Sequence, residues 1–409
     1  MRISTNQIYQ TGARNLMEGQ SRLYNLQNQL STGKKFLSAQ DDPVAAALVL
    51  LNSQSLSVNT QHAENQANAN AQLALEEDRL TSIVNNVLYI MEQTVAGQNA
   101  SYSDSQRQFY ADDLQQQFEF LLGMANGTDA NGYYLFSGYQ GNTKPFQLMS
   151  DGSVNYAGDD GQRLLQVGTS RQIAVSDSGR DIFERIRTGN GTFALGADLA
   201  NNTGTGVIGI GSVNDIVAWR GLDSHKFEIE FDTPPTTYTI TDTTAGTTLG
   251  SYAYTPGTDI TNNPDIPGIS FSIGGTPNAG DKFTVEPSTD QSIFNSLQNL
   301  ITAFSTPIEN DGVAAAKVKN IINAEMVNFD QVLNNVASVQ ASIGSRRAEL
   351  NSLLDISSAL DLHYQERLSN LQEADYVEVI SKFMQQQTQL QASQSSFSNI
   401  TSLSLFSYL

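Results

Sequence analysis

Residues 373–409 read EADYVEVISKFMQQQTQLQASQSSFSNITSLSLFSYL, and the interpretation of the whole chain starts from this stretch. Its apolar residues recur at intervals of four, three and seven: Tyr376, Ile380, Phe383, Leu390 and Phe397. This spacing is typical of the seam of a coiled coil, and we assign Leu403 to the same assembly surface. Most other residues are Gln, Ser or Thr, so the predicted helix is marginal alone in water. It needs a second helix to cover its apolar stripe.

A matching helix is predicted at the opposite end of the chain. Its apolar residues are also spaced by seven: Tyr9, Leu16, Leu23, Leu30 and Leu37. We therefore predict that residues 1–42 and 373–409 form paired coiled-coil assembly helices. The pairing could run within one subunit or between subunits, and the sequence leaves both open.

Long helical segments flank the middle of the chain. Helices are predicted at 43–97, 104–125, 290–305 and 313–370. The first begins at Asp42-Pro43, which indicates an N-cap followed by a proline in the first turn. The last carries one seam position throughout, at Ile322, Phe329, Val336, Ile343 and Leu350, while Arg346 interrupts the other. Residues 43–147 with 288–372 are therefore predicted to form a helical rod domain whose two longest helices lie antiparallel.

Residues 148–287 have a different composition, which is rich in Gly, Thr, Asp and Pro, and they lack helical periodicity. Alternating segments such as KFEIEF at 226–231 and TYTIT at 237–241 predict strands. The segment is predicted to be an inserted, β-rich outer domain. The expected fold class is therefore α+β: a long antiparallel helical rod with paired terminal coiled-coil helices and an inserted all-β domain.

The composition limits the classes of function. The 409 residues include 22 basic and 42 acidic ones, a formal net charge of −20, so we expect no binding to nucleic acid. No apolar run is long enough to span a membrane, and the first ten residues lack the apolar core of a cleavable signal, so no membrane insertion is expected. Most of the polarity comes from amides and hydroxyls rather than charges, which suits a surface that packs against copies of itself.

No catalytic, cofactor-binding or metal-binding residues are predicted, and the chain is not expected to be an enzyme. The absence of Cys excludes disulfides and Cys-ligated zinc. His62, His225 and His363 stand outside any catalytic or zinc signature. The glycines at 204–209 match GxGxxG but lead into more glycine rather than into a helix. The pair Asp41-Asp42 has no further ligand nearby.

The two ends of the chain resemble the bacterial flagellin superfamily. The N-terminal motifs are MRISTNQIYQ at 1–10, QLSTGKK at 29–35 and SAQDDP at 38–43, and the proline after the Asp pair is typical of the hook-associated protein 3 family. The C-terminal motifs are IGSR at 343–346, EADY at 373–376, QSSF at 394–397 and LSLFSYL at 403–409, whose Leu-Phe-x-Tyr-Leu differs from the usual flagellin ending.

This resemblance implies a structural protein of the bacterial flagellum. It implies export through the flagellar type III apparatus, with a cytoplasmic export chaperone on the C-terminal helix. It also implies a homo-oligomer in a tubular zone that joins the hook, through hook-associated protein 1, to the flagellin filament. Two alternatives stay open: a flagellin-type filament subunit, and a surface binding or adhesin module carried by the β insert.

Overall fold

The computed structural model describes residues 5–261 and 263–402. The helices are α1 (Thr5–Thr32), α2 (Pro43–Gly97), α3 (Asp104–Ala125), α4 (Gly179–Phe183), α5 (Ile216–Trp219), α6 (Ile293–Ser305), α7 (Gly312–Gln372) and α8 (Tyr376–Ser402). The strands are β1 (Phe146–Leu148), β2 (Val154–Tyr156), β3 (Leu164–Gln166), β4 (Gln172–Ala174), β5 (Ile186–Arg187), β6 (Phe193–Ala197), β7 (Val207–Ile208), β8 (Ser212–Val213), β9 (Phe227–Phe231), β10 (Thr237–Asp242), β11 (Thr247–Ala253), β12 (Asp259–Thr261), β13 (Ile269–Gly274), β14 (Lys282–Pro287) and β15 (Asp290–Gln291). The α+β fold class, with terminal helices and a central sheet-rich region, is confirmed.

The chain forms two compact units. Unit 1 contains the described residues up to Gln66 together with those from Ser352 onward. Unit 2 is Ala67–Asn351. The units divide within α2 and α7, so the predicted insert at 148–287 lies inside unit 2. Our division into terminal helices, rod and insert remains a prediction.

Within unit 2, α2 and α7 run antiparallel. Gln340 Nε2 donates to Thr81 Oγ1 (3.2 Å), and Arg347, nearer the end of α7, pairs with Glu77, nearer the start of α2. The α7 positions predicted to form one seam are all buried: Ile322, Phe329, Val336, Ile343 and Leu350. These helices are stable because their apolar stripes are covered, rather than because of intrinsic helix propensity.

The polar interruption at Arg346 has partners in unit 2. Its guanidinium pairs with the buried carboxylate of Asp177 and donates to Ala174 O (3.0 Å). Next to this pair, Glu76 lies on the buried stripe of α2 and accepts a hydrogen bond from the Asp177 N–H (3.1 Å). Burial raises the pKa of Glu76 to about 8, and the negative charge of Asp177 acts in the same direction.

The β-rich part of unit 2 contains two larger antiparallel sheets. One has the order β11-β10-β9-β14-β6, and the other has the order β12-β13-β7, with β8 also paired to β13. Side chains from both sheets share one hydrophobic core, which includes Phe193, Ile229, Phe271 and Phe283. The indole of Trp219 is fully buried in the same core.

The predicted all-β insert is wrong in one respect, because it contains the short helices α4 and α5. Both start at N-cap side chains that accept hydrogen bonds from the first turn: Ser178 from Arg180 N–H, and Asp215 from the N–H groups of Val217 and Ala218. These helices are only 5 and 4 residues long, too short to show helical periodicity in the sequence.

Candidate assembly site in the terminal helices

In unit 1, α1 and α8 pack antiparallel. Phe397 lies against Gly12, Leu390 against Gly19 and Tyr376 against Gly33, so positions on α8 fall as positions on α1 rise. Near one end of the pair, the rings of Tyr9 and Phe397 meet edge to face, with 6.0 Å between their centroids. The helices α1 and α8 therefore pair within one chain.

Two glycines on α1 permit this close approach. A Cβ at Gly12 would lie 2.6 Å from Phe397 Cδ2, and one at Gly19 would lie 3.1 Å from Leu390 Cδ1. Gly12 and Gly19 are seven residues apart, so both face α8 at equivalent positions. Each glycine leaves a gap on α1 that an apolar side chain of α8 fills, which fixes the register of the two helices.

The structure brings most of the predicted seam residues together, although none of those that it describes is fully buried. The half-buried ones are Leu16, Leu23 and Leu30 on α1, and Phe383, Leu390 and Phe397 on α8. Tyr376 and Ile380 are about half exposed, at 52% and 50%. Leu403 lies outside the described residues. The assembly role of these residues remains a prediction.

The stripe of α8 that faces α1 differs from the predicted one at its second position. The less exposed residues of α8 follow a 4-3 spacing: Val379, Phe383, Gln386, Leu390, Ser393 and Phe397. This places Val379 in the intramolecular seam, because it precedes Phe383 by four residues, and leaves Ile380 beside it. Gln386, whose Nε2 would lie 3.7 Å from a Cβ at Gly19, occupies the equivalent position one heptad later.

Two chain segments are joined where the terminal pair ends. Lys34 and Glu373 form an antiparallel bridge. The Lys35 N–H donates to Gln372 O (2.7 Å), and the Ala374 N–H donates to Gly33 O (2.8 Å). Gly33 adopts a φ of +68°, the left-handed conformation typical of the residue after a helix. These contacts hold the exit from α1 against the entry to α8.

The parts of α2 and α7 in unit 1 bury several polar side chains and expose several large apolar ones. Asn52 and Asn59 are buried on α2, and the Asn59 side-chain amide donates to Ser357 O (2.8 Å) on α7. Large apolar side chains of the same two helices are exposed instead: Val44, Leu48, Leu50, Leu51, Val58, Ile356, Leu360 and Leu362. Exposed apolar surface on this scale is typical of an interaction site.

Sequence reasoning missed this second surface. The residues VAAALVLLNSQSLSV at 44–58 were included in one long helix, and no stripe was assigned to them. The signal that could have found it is the spacing of Val44, Leu48, Leu51 and Val58, which is 4, 3 and 7. The sequence does not show that this stripe faces outward, because only the pairing of α2 with α7 decides which side is covered.

The motifs considered for chemistry have structural roles. Asp42 Oδ1 accepts the Ala45 N–H (2.9 Å), which caps α2, and Asp41 Oδ2 accepts the N–H groups of Leu37 (3.1 Å) and Ser38 (3.0 Å). Those two hydrogen bonds lower the pKa of Asp41. In the glycine-rich segment, the Gly204 N–H donates to the carboxylate of Asp281 (3.0 Å), so an internal anion satisfies this N–H.

Neither a metal cluster nor a membrane helix is found in the part of the chain that the structure describes. Across residues 5–261 and 263–402, no group of three His, Asp or Glu side chains is placed to hold a metal ion. No helix in these ranges is long and apolar enough to cross a membrane.

Comparisons with known proteins cover both the ends and the middle of the chain. The family models of the bacterial flagellin N-terminal and C-terminal helical regions match residues 3–141 and 326–409. Flagellar hook-associated protein 3 of Salmonella typhimurium (strain LT2) is 26% identical over 406 residues, which span 99% of each protein. The crystal structure of the flagellar junction protein FlgL from Legionella pneumophila is 30% identical with a TM-score of 0.67, covering 78% of this chain and 100% of that one. Phase 1 flagellin of Salmonella naestved is 28% identical over 207 residues, only 48% of this chain and 40% of the flagellin.

Proposed function

The chain belongs to the flagellar hook-associated protein 3 family, the hook–filament junction proteins of the bacterial flagellum, and from this premise we propose how it forms the junction. Copies of the chain pack side by side into a short tubular zone through the helices of unit 1. One end of the zone meets hook-associated protein 1 on the hook, and the other end receives flagellin. The role is structural rather than catalytic.

One observation carries this proposal: unit 1 leaves its apolar side chains incompletely covered. Leu16, Leu23, Phe383 and Phe397 are only half-buried between α1 and α8. Fully burying an exposed apolar side chain contributes about 1.5–3 kcal/mol, and neighbouring copies would supply the part of this burial that the half-buried side chains lack. Residues 383–402 and 43–63 contain no Asp, Glu, Lys or Arg, so copies of a chain with a net charge of −20 can approach there with little repulsion.

The incomplete burial of the seam between α1 and α8 also supports export before assembly. A terminal pair with a half-buried seam opens at low cost compared with the core of unit 2, because fewer apolar contacts are lost. We infer that the subunit passes through the flagellar type III apparatus with its terminal helices apart. A cytoplasmic chaperone would cover the stripe of α8 until then.

Gene deletion with complementation tests the junction role. Cells that lack the gene should carry hooks without filaments and shed unpolymerised flagellin into the medium, and the wild-type chain should restore filaments. A chain with Phe383→Ser and Phe397→Ser should fail to restore them. Gln387→Ser is the matched control, because Gln387 is exposed on the same helix outside the seam, and it should behave as wild type.

The other possible outcomes point to the alternatives. Filaments of normal length in the deletion strain would contradict the junction role. The loss of shed flagellin together with filaments would favour a filament subunit. Deletion of residues 150–285 distinguishes the adhesin alternative, since it should then abolish attachment while filaments persist.

A further inference from the structure

We propose that two exposed apolar surfaces of unit 1 dock onto each other between successive copies of the chain. The first, the hairpin flank, is formed by Val44, Leu48, Leu51 and Val58 of α2 with Ile356 and Leu360 of α7. The second, the pair flank, is formed by Met17 and Tyr24 of α1 with Val377, Ile380 and Met384 of α8. The inference rests on the proposed tubular assembly and names the contact that builds it.

The residues of the hairpin flank share one side of the α2–α7 hairpin. Leu51 and Val58 directly precede the buried Asn52 and Asn59, and Ile356 directly precedes the buried Ser357. In an antiparallel helix pair, residues displaced in the same direction from the seam on both helices lie on the same side of the pair. The flank is therefore one continuous apolar face rather than a set of scattered side chains.

The residues of the pair flank share one side of the terminal pair by the same reasoning. Met17 and Tyr24 directly follow the seam residues Leu16 and Leu23, whereas Ile380 and Met384 directly follow Val379 and Phe383. All are displaced from the seam in the same direction along the chain. Their spacing of three, four and seven residues matches that of the hairpin flank, so the two faces can interdigitate as coiled-coil helices do.

Charge favours docking between unlike flanks over docking of either flank on itself. Residues 43–66 and 352–372 around the hairpin flank carry four acidic groups and one basic group. Residues 5–37 carry four basic groups and one acidic group, and 373–402 carry three acidic groups and one basic group. The hairpin is thus net negative and the terminal pair net positive, in a chain whose net charge is −20.

Symmetry also favours docking of the hairpin flank on the pair flank of another copy. A flank that docks on its own counterpart closes into a dimer and stops. A flank that docks on a different flank of the next copy leaves one of each free, so the contact repeats and can close into a ring or extend along a tube. The second arrangement builds the zone proposed above with a single type of contact.

Disulfide trapping in assembled flagella tests the contact. The chain has no Cys, so Leu51→Cys/Met384→Cys introduces the only thiols. The variant is expressed in the deletion strain, and filaments establish that it assembles. Mild oxidation of isolated flagella should then give a ladder of dimers, trimers and larger species on a non-reducing gel, since each copy can bond two neighbours. Either single variant should remain monomeric.

The control uses an adjacent leucine on the other side of the same helix. Leu50 is 69% exposed and Leu51 60%, but Leu50 follows the half-buried Val49 and lies outside the hairpin flank. Leu50→Cys/Met384→Cys should give at least fivefold less ladder. A second pair, Leu48→Cys/Ile380→Cys, covers the case in which the first pair assembles but has unsuitable disulfide geometry.

Several results would overturn the inference while leaving the junction role intact. One such result is that neither double-Cys variant gives a ladder in flagella with normal filaments. Dimers formed by Leu51→Cys alone would show that the hairpin flank meets its own counterpart. A fast-migrating oxidised monomer would show that the same chain covers the flank. Attached filaments in the uncomplemented deletion strain would instead defeat the proposed function itself.

Discussion

Replacing Gly12 with alanine is expected to weaken the pairing of α1 with α8, although alanine is the better helix former. The added Cβ would lie 2.6 Å and 2.7 Å from two ring atoms of Phe397, about 1 Å inside ordinary carbon–carbon contact. The ring must move or the helices must separate, which costs about 1–3 kcal/mol, as for other overpacked sites. The gain in helix propensity is about 1 kcal/mol and acts on α1 alone.

Alanine substitutions at Gly19 and Gly344 provide comparisons in which the added Cβ has more space than at Gly12. A Cβ at Gly19 would lie 3.1 Å from a terminal methyl of Leu390, which can rotate away, so Gly19→Ala should cost less than Gly12→Ala. At Gly344 in α7, nothing lies within 4 Å of the added atom. Gly344→Ala should therefore show only the propensity gain of about 1 kcal/mol.

Hydrogen exchange of the full-length chain measures the effect on the helix that is not mutated. Amides of α8 between Phe383 and Phe397 exchange when the terminal pair opens. Because 1.4 kcal/mol corresponds to a tenfold change in an equilibrium, the steric cost at Gly12 should speed their exchange by about 5- to 150-fold. Gly19→Ala should give a smaller increase, and Gly344→Ala none. Equal α8 exchange in all three variants, or slower exchange in Gly12→Ala, would refute this account of the close approach.

Two further predictions concern stability. In the folded chain the pKa of Glu76 is raised from 4.5 to about 8. Unit 2 should therefore lose stability as the pH rises from about 4.5 to about 8, because over this range the unfolded chain releases the proton of Glu76 and the folded chain keeps it. The free energy of unfolding should fall by about 3 kcal/mol by pH 7. Glu76→Gln should remove this slope in urea titrations followed by the fluorescence of Trp219 at several pH values, and an unchanged slope would show that Glu76 is ionised in the fold. Asp42→Ala should cost about 1 kcal/mol by removing the cap on α2, measured as faster exchange of the first-turn amides, whereas Asp42→Asn should keep most of the protection.

The sequence was sufficient for elements whose signal is local and long. The bounds of α2 and α3 agree with those predicted, since Pro43 and Gly97 mark one helix and the Ser103 cap marks the start of the other. The buried seam of α7 from Ile322 to Leu350 was also predictable, because heptads repeat over five positions. Such agreement follows from periodicity that needs no knowledge of the partner helix.

The candidate assembly site was harder to predict, because the exposure of each side chain depends on which helices pair. Tyr376 and Phe383 look equivalent in the sequence, yet Tyr376 is half exposed and Phe383 faces α1. The glycines at 12 and 19 carry no apolar signal at all. Their role appears only when the opposing Phe397 and Leu390 are placed, since a missing side chain matters through what fills its space.

The burial pattern of the α2–α7 hairpin suggests how one chain can be both a free subunit and a component of the proposed assembly. A hairpin with leucines inside would gain its full burial on folding and would offer polar faces to its neighbours. Here Asn52 and Asn59 are buried beside the half-buried Val49 and Leu56, while Leu48 and Leu51 remain outside. Fully burying a large exposed apolar side chain contributes about 1.5–3 kcal/mol. For the exposed side chains of these helices, much of this free energy is therefore gained only when another surface covers them. In the proposed assembly, folding of unit 1 is coupled to docking between copies, because whatever binds the folded surface stabilises it by mass action. This coupling suits the proposed export, in which α1 and α8 are loosely held until neighbouring copies cover them.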